Sequence, residues 1–485
     1  MRAMILDEPE LEFGGGGRHI DPRYGIDDHG PVDVATASAP GEIKVGIIGS
    51  QAAVEGIRRW LERCRGEIPA RPSRQPRLFR DFPGFDTDRC FHSKLTFDDR
   101  WMRRIHSRDL ARLSGQAAQA VPAAVEAWAA ELEPLADENR CQVIICALPE
   151  ELDLLEEPDT QDAENGLLDG ASTGREESDP TVRVDFHDML KARSLRHRIP
   201  IQIVRRETWD PKYRPKTSDG STRTVQDEAT RAWNIHTALY YKAGGVPWRL
   251  LRSPADYATC YVGVAFFTTP DRSEVHTSVA QVFNERGDGV VVQGGPAARS
   301  KEDRQPHLQQ ADARDLLMQA LTLYRHEHGN FPARVVLHKT SRFNEAEKAG
   351  FNTAADDLRV DQIELMWVSS GDRLRLYRSG DNAPLRGTLL DLGDRHVLYT
   401  RGSVDFYRVY PGMYVPTPIA LRPVTADHQP EELAAETLAL TKMNWNDTQL
   451  DQWLPITLRA AHQVATILKH APSGQPIAAR YAHYM

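Results

Sequence analysis

The chain of 485 residues has 60 basic and 69 acidic residues, a net charge of −9 and 40% apolar residues, which is an ordinary globular composition. This excludes a mostly disordered chain, a collagen-like fibre and a coiled coil. The mean hydropathy is −0.51 and there is no apolar run of about 18 residues, so we expect no membrane span. We also expect no signal peptide, and five cysteines without C-x-x-C spacing indicate a reducing compartment, the cytoplasm.

The first 40 residues are rich in turn-forming residues and show little apolar periodicity. Gly14–Gly17 is followed by Asp21-Pro22-Arg23 and Gly30-Pro31. Glycine and proline clusters are typical of turns and loops. We therefore expect residues 1–40 to form an extended, turn-rich arm.

Short apolar runs alternate with segments of helical spacing from residue 41 onward. The predicted strands are 43–49, 141–148 and 199–204, and the predicted helices are 52–64, 113–135, 186–196 and 225–243. Continuously apolar strands between helices are typical of a parallel sheet that is covered on both faces. Residues 41–250 are therefore predicted to form a doubly wound, Rossmann-like α/β domain.

An acidic segment interrupts this domain at about residues 150–180. It holds a dozen acidic residues and one basic residue, with glycine, serine and proline among them. Such a composition predicts a solvated insertion. Without it the rest of the chain is close to neutral, so the overall acidity says little about the charge of a binding cleft.

The second half of the chain is richer in strands. The predicted strands are 261–267, 277–283, 289–293, 334–338 and several between 362 and 415, and the predicted helices are 311–326, 432–440 and 457–468. The glycine-bearing segment 285–289 predicts a hairpin turn. Residues 251–485 are therefore predicted to form a mixed sheet with helices packed on it.

Four polar residues of the first domain could converge on one anion. His187 and Lys191 are four residues apart and share a helix face, Gln202 interrupts an apolar strand, and Lys242 ends a helix. Two ammonium groups, an imidazole and an amide suit a phosphate. The alternative is a set of ordinary surface residues and one satisfied buried amide.

Two strand tips of the second domain lack the carboxylates that a nuclease would need there. In nucleases of the ribonuclease H type, such tips carry aspartates that bind two metal ions. Here the tips are Ala265 and Thr340, and a later helix carries His462. One histidine cannot hold Mg²⁺ well, because that ion prefers oxygen ligands. His462 is otherwise an ordinary helix-face histidine.

The segment Leu440–Asn446 mixes lysine, asparagine and tryptophan after a helix. Lys442, Asn444 and Asn446 suit contacts with phosphate and sugar. The same segment would equally suit a capped helix end with Trp445 in the core. The sequence leaves both interpretations open.

The last residues stay aromatic, with Tyr481 and Tyr484 close to Met485. Chain ends usually fray, but an aromatic tail is expected to dock against the protein. The Met485 carboxylate would then have a fixed position.

These residues resemble a known family, the Argonautes. The segment from Asn234 to Trp248, which includes Lys242, resembles the end of an Argonaute MID domain, and His187, Lys191 and Gln202 resemble its guide 5′-phosphate pocket. Two further stretches resemble short prokaryotic Argonautes, which have only MID and PIWI domains. These stretches are Glu8–Gly14 with Asp21-Pro22-Arg23, and Leu440–Asn446 with Pro455-Ile456-Thr457. The resemblance covers about residues 41–485.

The resemblance implies a MID domain at 41–250 and a ribonuclease H-like PIWI domain at 251–485. His187 would stack on the first guide nucleotide, and Lys191, Gln202 and Lys242 would bind its 5′-phosphate. Asn234 would support that pocket, and the Met485 carboxylate would lie near a Mg²⁺ ion at the guide 5′ end. Ala265, Thr340 and His462 would stand at positions of the acidic tetrad, so no slicing is expected.

The resemblance also implies partners. A short 5′-phosphorylated guide RNA would direct recognition of complementary single-stranded DNA of a plasmid or phage, because base pairing reads sequence while the protein reads shape. A separate effector chain with an APAZ region and a sirtuin-like, TIR or nuclease domain would form a heterodimer with it. Activation would deplete NAD⁺ or otherwise cause abortive infection. The alternatives are an active guide-directed nuclease and a guide-independent nucleotide-binding scaffold.

Overall fold

Two β-sheets organise the chain in the computed structural model. The structure describes residues 2–113, 117–138, 140–152, 185–215, 222, 224–251, 257–268, 275–283, 289–371, 374–380, 382–412, 415–450, 452–472 and 480–485. Most of the predicted acidic insertion and the predicted hairpin turn at 285–289 therefore lie outside the described residues.

The first 40 residues form short elements that reach across the molecule rather than an isolated extended arm. They are β1 (Arg2–Ile5), β2 (Leu11–Glu12), β3 (Arg18–His19) and α1 (Pro22–His29). Asp21 caps α1 by accepting a hydrogen bond from the Arg23 backbone N–H at 2.8 Å, and Gly30 ends the helix with a φ of 74°. The expected turns are present, but the strands pair with distant partners that local composition does not reveal.

A mainly parallel sheet of five strands forms the core of the next unit. Its strands are β4 (Glu42–Gly49), β5 (Lys94–Thr96), β6 (Met102–Arg104), β7 (Val143–Ala147) and β8 (Ile201–Val204), in the order β5-β4-β7-β8 with β6 beside β4. Its main helices are α2 (Gln51–Arg63), α3 (Ala117–Glu138), α4 (Phe186–Ser194) and α5 (Glu228–Lys242). Every residue of β7 is buried, as a strand covered on both faces requires.

A ten-stranded mixed sheet organises the second half. Its later strands are β10 (Thr259–Thr268), β11 (Val275–Phe283), β12 (Gly289–Arg299), β13 (Pro306–His307), β14 (Arg334–Lys339), β15 (Gln362–Ser370), β16 (Thr388–Asp391), β17 (His396–Leu398) and β18 (Ile419–Thr425), whereas β9 (Arg249–Leu250) pairs with β2. The order is β1-β16-β17-β18-β15-β14-β10-β11-β12-β13. The N-terminal strand β1 therefore forms one edge of a sheet built from residues of the far half of the chain.

Helices cover both faces of the large sheet. They are α6 (Gln310–His328), α7 (Glu345–Asp357), α8 (Pro430–Leu440) and α9 (Ile456–Leu468). The start of α9 lies so close to β10 that a Cβ atom on Gly263 would be 2.0 Å from the Thr457 carbonyl oxygen. Only glycine allows this approach. The largest hydrophobic cluster joins both units, since it contains Val45 of β4 and Ile456 of α9.

Lys442 is an internal ion-pair partner, which corrects its predicted contact with a nucleic-acid backbone. Its Nζ lies 2.6 Å from Glu8 Oε1 and donates to the Pro9 and Ile20 carbonyl oxygens, and its side chain is completely buried. Burial lowers the Lys442 pKa to about 8 even with Glu8 beside it. Arg386 holds the other side of the Glu8 carboxylate.

The rest of this segment is also mostly internal. Trp445 lies in the hydrophobic core, and Asn444 is buried and accepts a hydrogen bond from the Asn446 backbone N–H at 3.1 Å. Of the three residues predicted to contact a backbone, only Asn446 keeps a partly exposed side chain. The helix-end interpretation of Leu440–Asn446 therefore fits Lys442 and Asn444.

Replacing Lys442 with alanine should lower the free energy of unfolding by about 3–5 kcal/mol, because it leaves Glu8 partly buried without its ammonium partner. Urea unfolding followed by tryptophan fluorescence measures this loss. The exposed Lys301→Ala variant serves as the control. A Lys442→Ala protein as stable as the parent would contradict the internal role.

Candidate anion-binding site

Two lysines, a glutamine and the last residue of the sequence converge between the two sheets. Lys191, in the last turn of α4, donates from Nζ to the Ile201 carbonyl oxygen at 3.2 Å and to the main-chain oxygen of Met485. Lys242, the last residue of α5, donates from Nζ to Gln202 Oε1 on β8. The structure thus brings together four of the predicted site residues from four separate segments.

Local sequence explains how these side chains reach one place. Asp185 caps α4 by accepting from the His187 backbone N–H at 2.8 Å, which fixes where the helix starts and hence where Lys191 points. Asp227 caps α5 by accepting from the Thr230 backbone N–H, and the helix ends at Lys242 before Gly244, whose φ is 103°. Gln202 faces them because it alternates with Ile201 and Ile203 along β8.

The two ammonium groups are buried without an acidic side chain as partner. Lys191 is 1% exposed and Lys242 is 2% exposed, and neither pairs with an Asp or Glu among the residues that the structure describes. Burial lowers the Lys191 pKa to about 7. Burial, and then the charge of Lys191, hold the Lys242 pKa well below its usual value. Protonating both buried amino groups is costly, and a bound anion would offset that cost.

The C-terminal residues form one wall of this site. Tyr481, Tyr484 and Met485 are all buried, and the Tyr481 hydroxyl donates to Gln463 Oε1 on α9 at 2.9 Å. The aromatic tail is therefore docked, as its composition predicts. This docking holds the Met485 oxygen against Lys191.

His187 lies one helical turn before Lys191 on the same face of α4. Its side chain is 36% exposed, and its Nδ1 lies 3.0 Å from Asp188 Oδ1. Burial acts to raise the Asp188 pKa, but the hydrogen bond and charge of His187 help to bring it below its usual value. The imidazole is thus oriented at a partly open position on the helix face that also carries Lys191.

Asn234 does not contact the lysine cluster directly, and its predicted supporting role stays a prediction. Its Oδ1 accepts hydrogen bonds from the Thr448 backbone N–H at 2.9 Å and the Thr448 hydroxyl at 2.8 Å. It lies two turns before Lys242, about 12 Å along the helix axis. Asn234 therefore joins α5 to the second half of the chain rather than lining the lysine site.

The two predicted strand-tip residues lie side by side in the large sheet, but only Thr340 directly follows a strand, because β10 continues from Ala265 to Thr268. Strands β10 and β14 are parallel, with Val264 opposite Lys339, so Ala265 and Thr340 follow on neighbouring strands. His462 is on α9, where burial lowers its pKa to about 4. Within the described ranges, no cluster of three or more His, Cys, Asp or Glu side chains could hold a metal ion.

The residues around Met485 do not by themselves fit a Mg²⁺ ion. The oxygens of Met485 and Gln202 already accept hydrogen bonds from ammonium groups, whereas Mg²⁺ requires about six oxygen ligands. This donor set suits an anion. A Mg²⁺ ion here would need most of its ligands from a bound phosphate strand.

An internal ion network beneath the strand tips was not predicted. Lys339 donates to the buried Glu347, which also binds His307 at 3.1 Å, and Lys339 Nζ lies 4.8 Å from the centre of the Phe343 ring. Burial still lowers the Lys339 pKa to about 8. The available signal was a lysine at the end of a buried apolar strand, followed by Asn344 and Glu347 at capping-box spacing.

Comparison with known proteins supports the fold. No protein-family model matches the chain, and no curated protein is similar to it. Among solved structures, it is similar to Clostridium butyricum Argonaute bound to a guide DNA and a 19-mer target DNA, with 15% identity and a TM-score of 0.61. It is also similar to Aa-Ago with externally bound siRNA, with 14% identity and a TM-score of 0.58.

Each comparison covers 98% of this chain but only 53% and 54% of the two Argonautes, so the chain spans about half their length. The likeness shows an Argonaute-like fold and confirms the predicted class, a Rossmann-like unit followed by a ribonuclease H-like unit. A search for membrane-spanning helices among the described residues found no helix of sufficient length and apolarity.

The buried lysines predict a characteristic pH dependence of stability. Between the lowered pKa of the folded protein and about pH 10, such a lysine is protonated in the unfolded chain but not in the folded protein. The free energy of unfolding therefore rises with pH across that interval. Replacing Lys242 with methionine should make the rise of stability with pH less steep below about pH 10. Urea unfolding at several pH values measures the slope.

Lys301→Met, at an exposed position, should leave the slope unchanged and serves as the matched control. An unchanged slope in Lys242→Met would show that Lys242 keeps its proton in the folded protein and is better solvated than its burial indicates.

Proposed function

We propose that this chain binds the 5′-phosphate of a short guide RNA at Lys191, Gln202 and Lys242, and uses the guide to recognise complementary single-stranded DNA. The observation that carries the proposal is a buried pair of lysine amino groups, neither of which forms an ion pair with an Asp or Glu side chain among the described residues. A phosphate monoester offers the two negative charges and several acceptor oxygens that such a pair lacks.

The surrounding side chains suit the end of a strand rather than a free phosphate. The half-exposed imidazole of His187 lies one turn from Lys191, where it can stack on the first base. The two similar structures hold a guide DNA with a target DNA and an siRNA, respectively. Both kinds of nucleic acid therefore occur with this fold, and RNA as guide is our proposal for this chain.

We further propose that Mg²⁺ contributes at the guide 5′ end only through phosphate oxygens. The Met485 oxygen is the protein atom expected nearest to it, and Lys191 already donates to that atom. The two lysines supply positive charge without the ion. Guide binding in EDTA should therefore persist.

The proposed output is recognition without cleavage. Ala265 and Thr340 offer no carboxylate on the adjacent strands, and burial lowers the pKa of His462 on α9 to about 4. The signal would then pass to a separate APAZ-containing effector with a sirtuin-like, TIR or nuclease domain. That partner would deplete NAD⁺ or degrade nucleic acid and so stop plasmid or phage propagation in the cytoplasm. This part of the proposal rests on the resemblance to short prokaryotic Argonautes.

The phosphate site is tested by the double variant Lys191→Ala, Lys242→Ala. Each charged hydrogen bond is worth about 1.5–3 kcal/mol, so the preference for 5′-phosphate over 5′-hydroxyl guides should fall roughly 100-fold or more. Filter binding with matched guides, with and without EDTA, measures the preference. Lys301→Ala, Lys348→Ala is the surface control. An unchanged preference in the pocket variant would refute the assignment.

The absence of cleavage is tested with guide-loaded protein, a labelled complementary DNA and Mn²⁺. We expect full-length target after prolonged incubation, because the strand tips lack metal ligands. A guide-directed cut would instead favour the active nuclease. The remaining alternative, a guide-independent scaffold, is tested by extracting nucleic acid from the purified protein. Such a scaffold would yield no short 5′-phosphorylated RNA.

A further inference from the structure

Arginine occurs at every third position in one surface segment of the chain between α2 and β5. The four residues are Arg71, Arg74, Arg77 and Arg80. The first three are exposed, and none of them forms an ion pair among the residues that the structure describes, whereas Arg80 is partly buried and pairs with Asp27. We call Arg71, Arg74 and Arg77 the arginine face.

Aromatic rings hold two guanidinium groups of the arginine face in place. The guanidinium carbon of Arg71 is 4.1 Å from the centre of the Phe79 ring, and that of Arg77 is 5.2 Å from the centre of the Phe406 ring. Arg77 Nη1 also donates to the Phe406 carbonyl oxygen at 3.0 Å. A guanidinium group that is already stacked on a ring loses less conformational freedom when it binds an anion than one on a free side chain.

The backbone of this segment is fixed to two helices. The Arg71 backbone N–H donates to Oδ1 of Asp227, the N-cap residue of α5, at 2.9 Å. The Leu78 carbonyl oxygen accepts a hydrogen bond at 3.0 Å from Nη1 of Arg23, which lies on α1. The arginine face is therefore presented from an anchored loop.

Two nearby acidic side chains are already engaged. Asp27 pairs with Arg80, and Asp81 Oδ1 accepts a hydrogen bond from the Ala70 backbone N–H at 2.7 Å. The three guanidinium groups of the arginine face thus present positive charge that no carboxylate of the described residues neutralises by an ion pair. Carboxylates from outside the chain would complement this charge.

The arginine face is remote from the proposed phosphate site. Asp227, which binds the Arg71 backbone, precedes the first turn of α5, whereas Lys242 is the last residue of that helix. The helix has 15 residues, which corresponds to a length of about 22 Å. Binding of a guide 5′-phosphate at Lys242 therefore leaves the arginine face unused.

We infer that the arginine face docks an acidic segment of a second protein, one that carries several aspartate or glutamate side chains. Planar guanidinium groups bind carboxylates bidentately. A protein segment fits better than a single nucleic-acid strand, because Arg71 and Arg77 already stack on the neighbouring rings, whereas single-strand binding uses rings that are open to bases. This inference goes beyond the proposed function, since it requires neither guide nor target.

The test compares the full-length parent with the triple variant Arg71→Ala, Arg74→Ala, Arg77→Ala. Fluorescence anisotropy measures the binding of a fluorescein-labelled peptide of alternating glutamate and serine. An exposed charge pair contributes roughly twofold to fivefold in affinity, so the triple variant should bind the peptide about tenfold more weakly or worse. Added salt should reduce the difference, because exposed charges are screened. Thermal unfolding verifies that the variant is folded.

The variant Lys301→Ala, Arg325→Ala, Arg378→Ala is the matched control. All three side chains are exposed, and Arg325 also stacks on a ring, with its guanidinium carbon 4.7 Å from the centre of Phe331. This variant should bind the peptide as tightly as the parent does. An equal loss of affinity would overturn the inference, because any removal of positive surface charge would then have the same effect.

Further measurements decide which molecule occupies the arginine face. Single-stranded DNA of equal charge that binds more tightly than the peptide, and loses affinity in the triple variant, would overturn the inference in favour of a nucleic acid. Tighter peptide binding after residues 153–184 are replaced with a glycine–serine linker would overturn it in favour of this chain's own acidic segment.

The arginine face and the proposed phosphate site can fail independently. The peptide should bind equally well in the presence and absence of a 5′-phosphorylated guide RNA, because the two sites lie at opposite ends of α5. Competition between guide and peptide would overturn the inference. The preference for 5′-phosphate guides should be the same in the parent and the triple variant, and its absence from the parent would refute only the proposed function.

Discussion

The burial of two neighbouring lysines is the constraint on which the first half of this molecule depends. Lys191 and Lys242 come from the ends of two helices, and their amino groups donate to oxygens of Ile201, Gln202 and Met485 without an ion pair to an Asp or Glu side chain among the described residues. A fold selected for stability alone would put apolar residues or a carboxylate there. We interpret the unfavourable free energy of burying these lysines as a sign that the site is preorganised for an anion. A preorganised site needs little rearrangement when the anion binds.

The rest of the fold keeps that site from relaxing. The tail that ends at Met485 is docked through Tyr481, and Asn234 ties α5 to the loop around Thr448, so the helices carrying the lysines cannot move apart independently. The N-terminal strand β1 joins the distant large sheet, and Glu8 anchors it to Lys442 and Arg386. Residues that suggested nucleic-acid contacts in the sequence thus hold the two halves together.

The sequence predicted most strands and helices because their apolar periodicity is local. It also indicated Lys191, Gln202 and Lys242, since a polar residue within an apolar strand and lysines at helix ends break that periodicity. The internal role of Lys442 was not predicted because its partner Glu8 is distant in the chain, and the contact of Asn234 with Thr448 was not predicted for the same reason. Helix α7 was missed although Asn344 and Glu347 form a capping box. The stacking of Arg342 and Arg422 on Trp367 depends on the sheet register, which no local pattern supplies.

The residues near the ends of β10 and β14 differ in charge from those that a nuclease has there. Where a nuclease needs carboxylates that attract metal ions, this chain has Ala265 and Thr340, buries Lys339 against Glu347, and exposes Arg342. A carboxylate cluster binds a phosphate only through bound metal ions. Guanidinium groups bind the phosphate directly and activate no water. In the proposed function, such positions would favour long residence of a strand over its hydrolysis.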